Sequence, residues 1–412
     1  MLSSLHKYLP ATVLFLIICT TGCQKDDSGD NNGPDANTQT LSGTISTETV
    51  WKNTVSDPAK PDYIVSKDLS IESKLIVEPG VVVLFKAGTA LIIEEKGTLI
   101  AKGSATQKIV FTGEEKITGF WRGILFFSND VRNIMDYTEV SYGGGSPVDE
   151  IWLNTKANVA LATSGPGFGK VSFTNSLSAN SAGAGLYVTE GAELNTFAAN
   201  SFSSNATKPV ILPASEVKKL DVASKYKGSN GKDVIEIIES SLDDATESTW
   251  LAPTDGTHYF VSGDLEIESG LRIQEGVTFE FGSSTALIVM DDGGYLIAKG
   301  TSAKKIIFTG ENQTQPSWRG ILFYSGDVRN EMDYTEVTYA GSSAVNNIWL
   351  DEKANIGLTY RSAVNAKLKL SNSKVTNGGG WGIVVQKYGD AGTSLTSSNN
   401  VLTPNSSGTI KQ

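Results

Sequence analysis

Trp121-Arg-Gly-Ile-Leu-Phe126 opens a stretch, residues 121–161, that returns at 318–358 with 28 of 41 positions identical. The spacing is 197 residues. A block of this length recurring at a fixed offset is the mark of a repeat architecture, so the repeat has to be read before any short motif. It extends both ways. Leu69-Ser-Ile-Glu-Ser answers to Leu265-Glu-Ile-Glu-Ser, Gly97-Thr-Leu-Ile-Ala-Lys-Gly to Gly294-Tyr-Leu-Ile-Ala-Lys-Gly, and Asn175-Ser-x-x-x-x-Asn180 to Asn372-Ser-x-x-x-x-Asn377. One long unit is written nearly twice.

Apolar residues come in short bursts parted by Gly, Asn or Asp, as in Leu75-Ile-Val, Val81-Val-Val-Leu-Phe85, Leu91-Ile-Ile and Ile109-Val-Phe111. β-branched and aromatic residues dominate them, which suits strands. No window sustains a 3.6 period, and 42 glycines argue against long helices. The chain is therefore expected to be all-β. Sandwich, barrel and solenoid all fit that pattern. The long duplication favours the solenoid, because a closed sandwich or barrel does not grow by copying half of its sequence. Asn175, Asn180, Asn195, Asn200, Asn205, Asn372, Asn377, Asn399 and Asn400 recur at turn-like positions. Asparagine tolerates the left-handed turn conformation, and stacked Asn side chains are expected to bond to one another between coils.

The succession Gly-Val-x-Val-x-Phe, Gly-Thr-Leu-x-Ala-x-Gly, Ile-x-Phe-Thr-Gly, Trp-x-Gly-Ile-x-Phe and Asp-Tyr-x-x-Val-x-Tyr resembles bacterial right-handed parallel β-helix proteins of the pectin-lyase-like superfold. The resemblance covers about 50–205 and 249–405. It implies a right-handed parallel β-helix of two long homologous repeats, with coils of about 22 residues.

Residues 1–22 read as a leader, with Lys7 ahead of an apolar stretch, Ala11 to Cys19, too short to span a bilayer. Thr20-Thr21-Gly22-Cys23 resembles the bacterial lipoprotein box, which implies lipidation of Cys23. Cys19 is the other cysteine, so removal of the leader leaves no pair for a disulfide. Gln24-Lys25-Asp26-Asp27 resembles the Bacteroidota export signal that sends lipoproteins to the outer face of the cell; Lys25, Asp26 and Asp27 carry that likeness. The expected organisation is a leader over 1–22, a lipid-anchored flexible tether over 23–47, a first β-helix repeat with junction over 48–246, and a shorter second repeat over 247–412.

Enzymes of this superfold use carboxylates, beside a basic residue or in pairs. The charged cluster Arg122, Asp130, Arg132, Asp136 and Glu139 recurs as Arg319, Asp327, Arg329, Asp333 and Glu336. Retention in both copies favours coil-stitching ion pairs, with catalysis the alternative. His258 has no second His or Cys beside it, so no metal site is expected there. Gly165-Pro-Gly-Phe-Gly-Lys170 lacks the Ser or Thr of a phosphate loop and reads as a turn, as does Asp291-Asp292-Gly293-Gly294. No cofactor is implied. The formal charge of −11 becomes −12 when Lys7 leaves with the leader, and no basic block exists, which excludes nucleic acid as a partner.

Trp51/Trp250, Trp121/Trp318 and Trp152/Trp349 are duplicated, which points to packing. Trp381 stands where the first copy has Ala184, inside Gly378-Gly-Gly-Trp-Gly, so the coil template does not require it. A ring there suits stacking on a sugar or on a protein partner. The sequence thus favours a non-enzymatic surface lipoprotein binding a glycan or an extracellular protein. A polysaccharide lyase or hydrolase and a structural stalk are the alternatives.

Overall fold

The computed structural model describes residues 35, 37–147, 156–164, 167–344, 351–361, 364–389 and 394–412, and Asp35–Gln412 forms one compact unit. Its short strands pair in parallel with the strand one coil ahead, wrapping three sheet faces around one apolar core. This is a parallel β-helix solenoid.

In the first copy the first face stacks Val82–Phe85, Ile109–Gly113, Thr138–Ser141, Leu177–Ala179 and Ser201–Ser203. The second stacks Ala90–Ile93, Gly123–Phe126, Ala157–Leu161, Ala184–Val188 and Val210–Leu212. The third stacks Thr49–Trp51, Lys74–Val77, Thr98–Lys102, Ile134–Asp136, Lys170–Thr174 and Glu193–Ala198. Tyr63–Ile71 turns the corner between two faces, pairing with Val82–Phe85 through its first half and with Ala90–Ile93 through its second.

The copies are not stacked face on face. The second face runs on from Val210–Leu212 through Val234–Ile237 and His258–Val261 to Thr278–Phe281, Ile306–Gly310, Thr335–Thr338 and Lys374–Thr376. Thr278–Phe281 is the repeat of Val82–Phe85, a first-face strand. The Trp-Arg-Gly-Ile-Leu-Phe strand, on the second face at Gly123–Phe126, therefore joins a different ladder at Gly320–Phe323. Each feature of the second copy is rotated by one face about the solenoid axis.

The junction explains the shift. After Val210–Leu212 the chain makes a short helix, Ala214–Val217, in place of a third-face strand. The backbone groups that a strand would have paired need other partners. The Glu216 carboxylate accepts from the Leu194 N–H at 2.6 Å, and the Ala214 N–H donates to Ser240 Oγ at 2.9 Å.

Three expectations are corrected. The tether stops short of residue 47, because Gln39–Ile45 is already a strand paired with Tyr63–Ile71. Coil length is not uniform. Leu69 pairs with Leu91, 22 residues on, whereas Leu91 pairs with Ile124, 33 residues on, since the turns absorb insertions while the strands keep register. The asparagines mostly bond to backbone rather than to one another. Asn200 accepts from the Ser176 N–H and donates to the Phe173 carbonyl, and Asn205 does the same with Ser181 and Ser178. Asn205 to Asn230 and Asn355 to Asn405, each 2.9 Å, and Asn399 to Asn372, 3.4 Å, are side-chain pairs between coils. Asn175, Asn180, Asn372 and Asn377 do take the left-handed conformation, with φ of 50°, 56°, 49° and 58°.

Glu216 supplies a test. Burial raises its carboxyl above the ordinary range, so the fold favours the neutral form. The stability it contributes is complete below the unfolded value near pH 4.3 and is lost as pH rises through the raised one. Gln keeps the acceptor oxygen for Leu194 and carries no charge. Glu216→Gln is expected to raise Tm at pH 7 and to leave it unchanged near pH 4, read by thermal melts across that range.

Candidate functional site

The duplicated charged cluster resolves into separate sets of contacts, Glu336 for its part pairing with Lys305 at 2.7 Å. Arg122 reaches back two coils to Asp68, Nη1 to Oδ2 at 2.9 Å, while Asp68 Oδ1 accepts from the N–H of Ala90 on the coil between. Arg319 pairs with Asp264 in the same way. Both aspartates precede the repeated Leu-x-Ile-Glu-Ser motif, a signal the sequence carried and the reading passed over.

Asp130 and Arg132 pair within one turn, with Arg132 Nε 2.9 Å from Oδ1, and Thr98 Oγ1 donates to Oδ2 at 2.6 Å. Asp327 and Arg329 repeat the turn, Nε to Oδ1 at 3.0 Å. The pairs thus close a single turn rather than joining two; the stitch to the previous coil is the Thr98 hydroxyl. The guanidinium in each turn lowers its aspartate, holding Asp130 well below the usual carboxylate range and Asp327 below it.

Asp136 sits at the far end of its strand, accepting from Thr174 Oγ1 at 2.7 Å and Asn175 Nδ2 at 2.8 Å. Asp333 accepts from Ser371 Oγ and Asn372 Nδ2, each at 2.8 Å. Among the described contacts, Arg122, Asp130 and Asp136 share no partner.

A glycosidic acid needs a raised pKa. The one carboxyl shifted upward among the described residues is Glu216, a buried residue of the junction helix itself. His258 Nδ1 stands 3.2 Å from Glu280 Oε1, and Glu280 also meets Lys232. Among the described residues no three His, Cys, Asp or Glu side chains gather closely enough to hold a metal ion.

The tryptophans divide. Trp121 and Trp318 are fully buried, stacked on Phe85 and Phe281 at 4.0 and 4.2 Å between centroids, with Nε1 donating to the carbonyls of Ser141 and Thr338. Trp51 and Trp250 are also buried. Trp152 and Trp349 lie outside the described residues, as do Cys23, Lys25, Asp26 and Asp27. Trp381 is half-buried. Its strand pairs with Gly408–Lys411, and a Cβ on Gly408 would fall 2.7 Å from its ring. One ring face thus rests on a glycine of the next coil, and the expected open platform is at most one-sided.

A groove of about 520 Å³ that the sequence reading missed opens in the second copy. Tyr295 lies across Gly270 on the adjacent strand, where a Cβ would fall 2.3 Å from the ring. Its hydroxyl donates to Glu247 Oε2 at 3.0 Å. Arg272 holds the same carboxylate through Nε at 2.6 Å and Nη2 at 3.2 Å, which keeps it below its ordinary range. The Arg329 guanidinium caps the Tyr295 ring, 3.5 Å from its centroid. Of this set only Arg329 was singled out from the sequence.

No protein-family model, curated protein or solved structure matches the chain.

The two kinds of tryptophan are separable by experiment. Trp121→Ala is expected to destabilise by about 3–5 kcal/mol, the cost of truncating a buried large aromatic. Trp381→Ala is expected to cost about 1 kcal/mol, for loss of a half-buried ring. Denaturant titration of both variants checks the difference.

Proposed function

We propose that the protein is a lipid-anchored, cell-surface lipoprotein of Bacteroidota type whose pectin-lyase-like β-helix binds rather than catalyses, taking a glycan or an extracellular protein. The observation that carries this reading is the state of the duplicated carboxylates. Asp130, Asp136, Asp327 and Asp333 are each taken up by hydrogen bonds to their own turn or to the neighbouring coil, in two rotated copies, as scaffold residues would be. The lipobox at Cys23 and the Lys25-Asp26-Asp27 signal support the anchor and the outer-face location. An acyl chain contributes about 0.8 kcal/mol per buried CH2, so multiple acylation makes a durable anchor. The acidic net charge supports a partner other than nucleic acid.

Two experiments test the reading. Cys23→Ser is expected to move the protein from the membrane to the soluble fraction, whereas alanine at Lys25, Asp26 and Asp27 leaves it anchored but shielded from external protease. On glycan and matrix-protein arrays the protein is expected to bind without releasing unsaturated or reducing sugar. Cleavage that stops in Asp130→Asn or Asp327→Asn overturns the binding reading in favour of an enzyme.

A further inference from the structure

The duplication provides an internal control for the groove of the second copy. Where both copies keep a residue, the coil template accounts for it; where they differ, the template does not. The first copy has Lys74 paired with Thr98 across adjacent strands, and the second has Gly270 paired with Tyr295 in the same register. Ile76 of the first copy is replaced by Arg272. In the first copy Lys74 forms a 2.7 Å ion pair with Glu48, filling the site with a long side chain. In the second copy the lysine is gone and the aromatic ring lies flat on the glycine. Arginines bind both the ring and Glu247, the repeat of Glu48. Two divergent positions, Gly270 and Tyr295, line the groove, and a third, Arg272, holds its Glu247 carboxylate.

We infer that this groove binds a saccharide free of anionic groups, neutral or amine-bearing; the assignment deepens the binding reading above and rests on it. The walls mix acceptors with donors. Glu247, Glu268 and Asp292 accept, Arg329 donates, and the Ser269 hydroxyl does both. A sugar hydroxyl donates and accepts at once, and so matches such a lining. A bare cation needs acceptors alone. Neither Glu268 nor Asp292 takes part in an ion pair among the described residues, so a uronate or sulfated chain meets net negative charge there. Tyr295 is a positioning residue: with Gly270 on one ring face and Arg329 on the other, it fixes the Glu247 carboxylate instead of stacking on ligand.

The test writes the first copy into the second. The double variant Gly270→Lys with Tyr295→Thr carries residues that the homologous coil already accommodates, and Asp292→Lys reverses a charge at an exposed position as a second, fold-neutral probe. Calorimetry with cello-, manno- and deacetylated chito-oligosaccharides and with oligogalacturonate is the readout. The native protein is expected to bind members of the first three classes and not oligogalacturonate. Both variants are expected to lose at least about tenfold in affinity, the scale of a hot-spot deletion, with Tm retained. Unchanged affinity in the folded variants, or preference for oligogalacturonate, overturns the groove assignment alone. Binding of matrix protein with no saccharide bound also overturns it and leaves the broader reading standing; absence of any ligand on either array removes both.

Discussion

In-register parallel stacking is the constraint on which the rest of the structure depends. Every strand must satisfy its backbone donors and acceptors with the coil before and the coil after, so each residue meets the residue one coil away at the same height. Column identity follows. Phe279 stacks on its ladder partner Phe308, while Asn200 and Asn205 return to backbone of the preceding coil. Where the helix Ala214–Val217 interrupts a column, Glu216 and Ser240 supply the missing acceptors, and Glu216 does so at the cost of a buried carboxyl.

The same constraint permits the rotation. A ladder recognises backbone spacing and an apolar inward residue, not the face from which a strand is descended. Leu212, Ile237, Val261 and Phe281 follow one another on the second face, and the core accepts this succession across the boundary between the copies. Duplicated turns such as Asp130–Arg132 and Asp327–Arg329 consequently point from different faces. The two copies do not build one continuous double-length binding surface. This favours function in what differs between them, namely Tyr295, Gly270 and Arg272.

Much of the architecture was legible in the sequence. Alternating apolar bursts with Gly and Asn between them indicate strands, and the duplication favours a solenoid over closed architectures. Coil length was less legible, because turns between Ile93 and Gly123 lengthen freely while the strands hold register. The rotation was not legible, since a 197-residue offset says nothing about how many faces it spans. The junction helix is four residues long, too short for a helical period to register. Glu247 and Arg272 were invisible as a site because their meeting depends on which strands become neighbours. The signal that was available, and went unread, was the set of differences between the two copies at aligned positions.

Engineered disulfides test the rotated, continuous ladder most directly. In a background with Cys19 and Cys23 replaced by Ser, paired strand positions on neighbouring coils lie within the Cα separation that a disulfide spans. Glu236 faces Phe260 in the second-face ladder, whereas stacking without rotation would place Phe260 on the face of Lys225. Oxidation is predicted to cross-link Glu236→Cys with Phe260→Cys and to leave Lys225→Cys with Phe260→Cys reduced. The opposite outcome, with Lys225 cross-linking and Glu236 remaining free, would contradict the rotation and the separation of scaffold from site that follows from it.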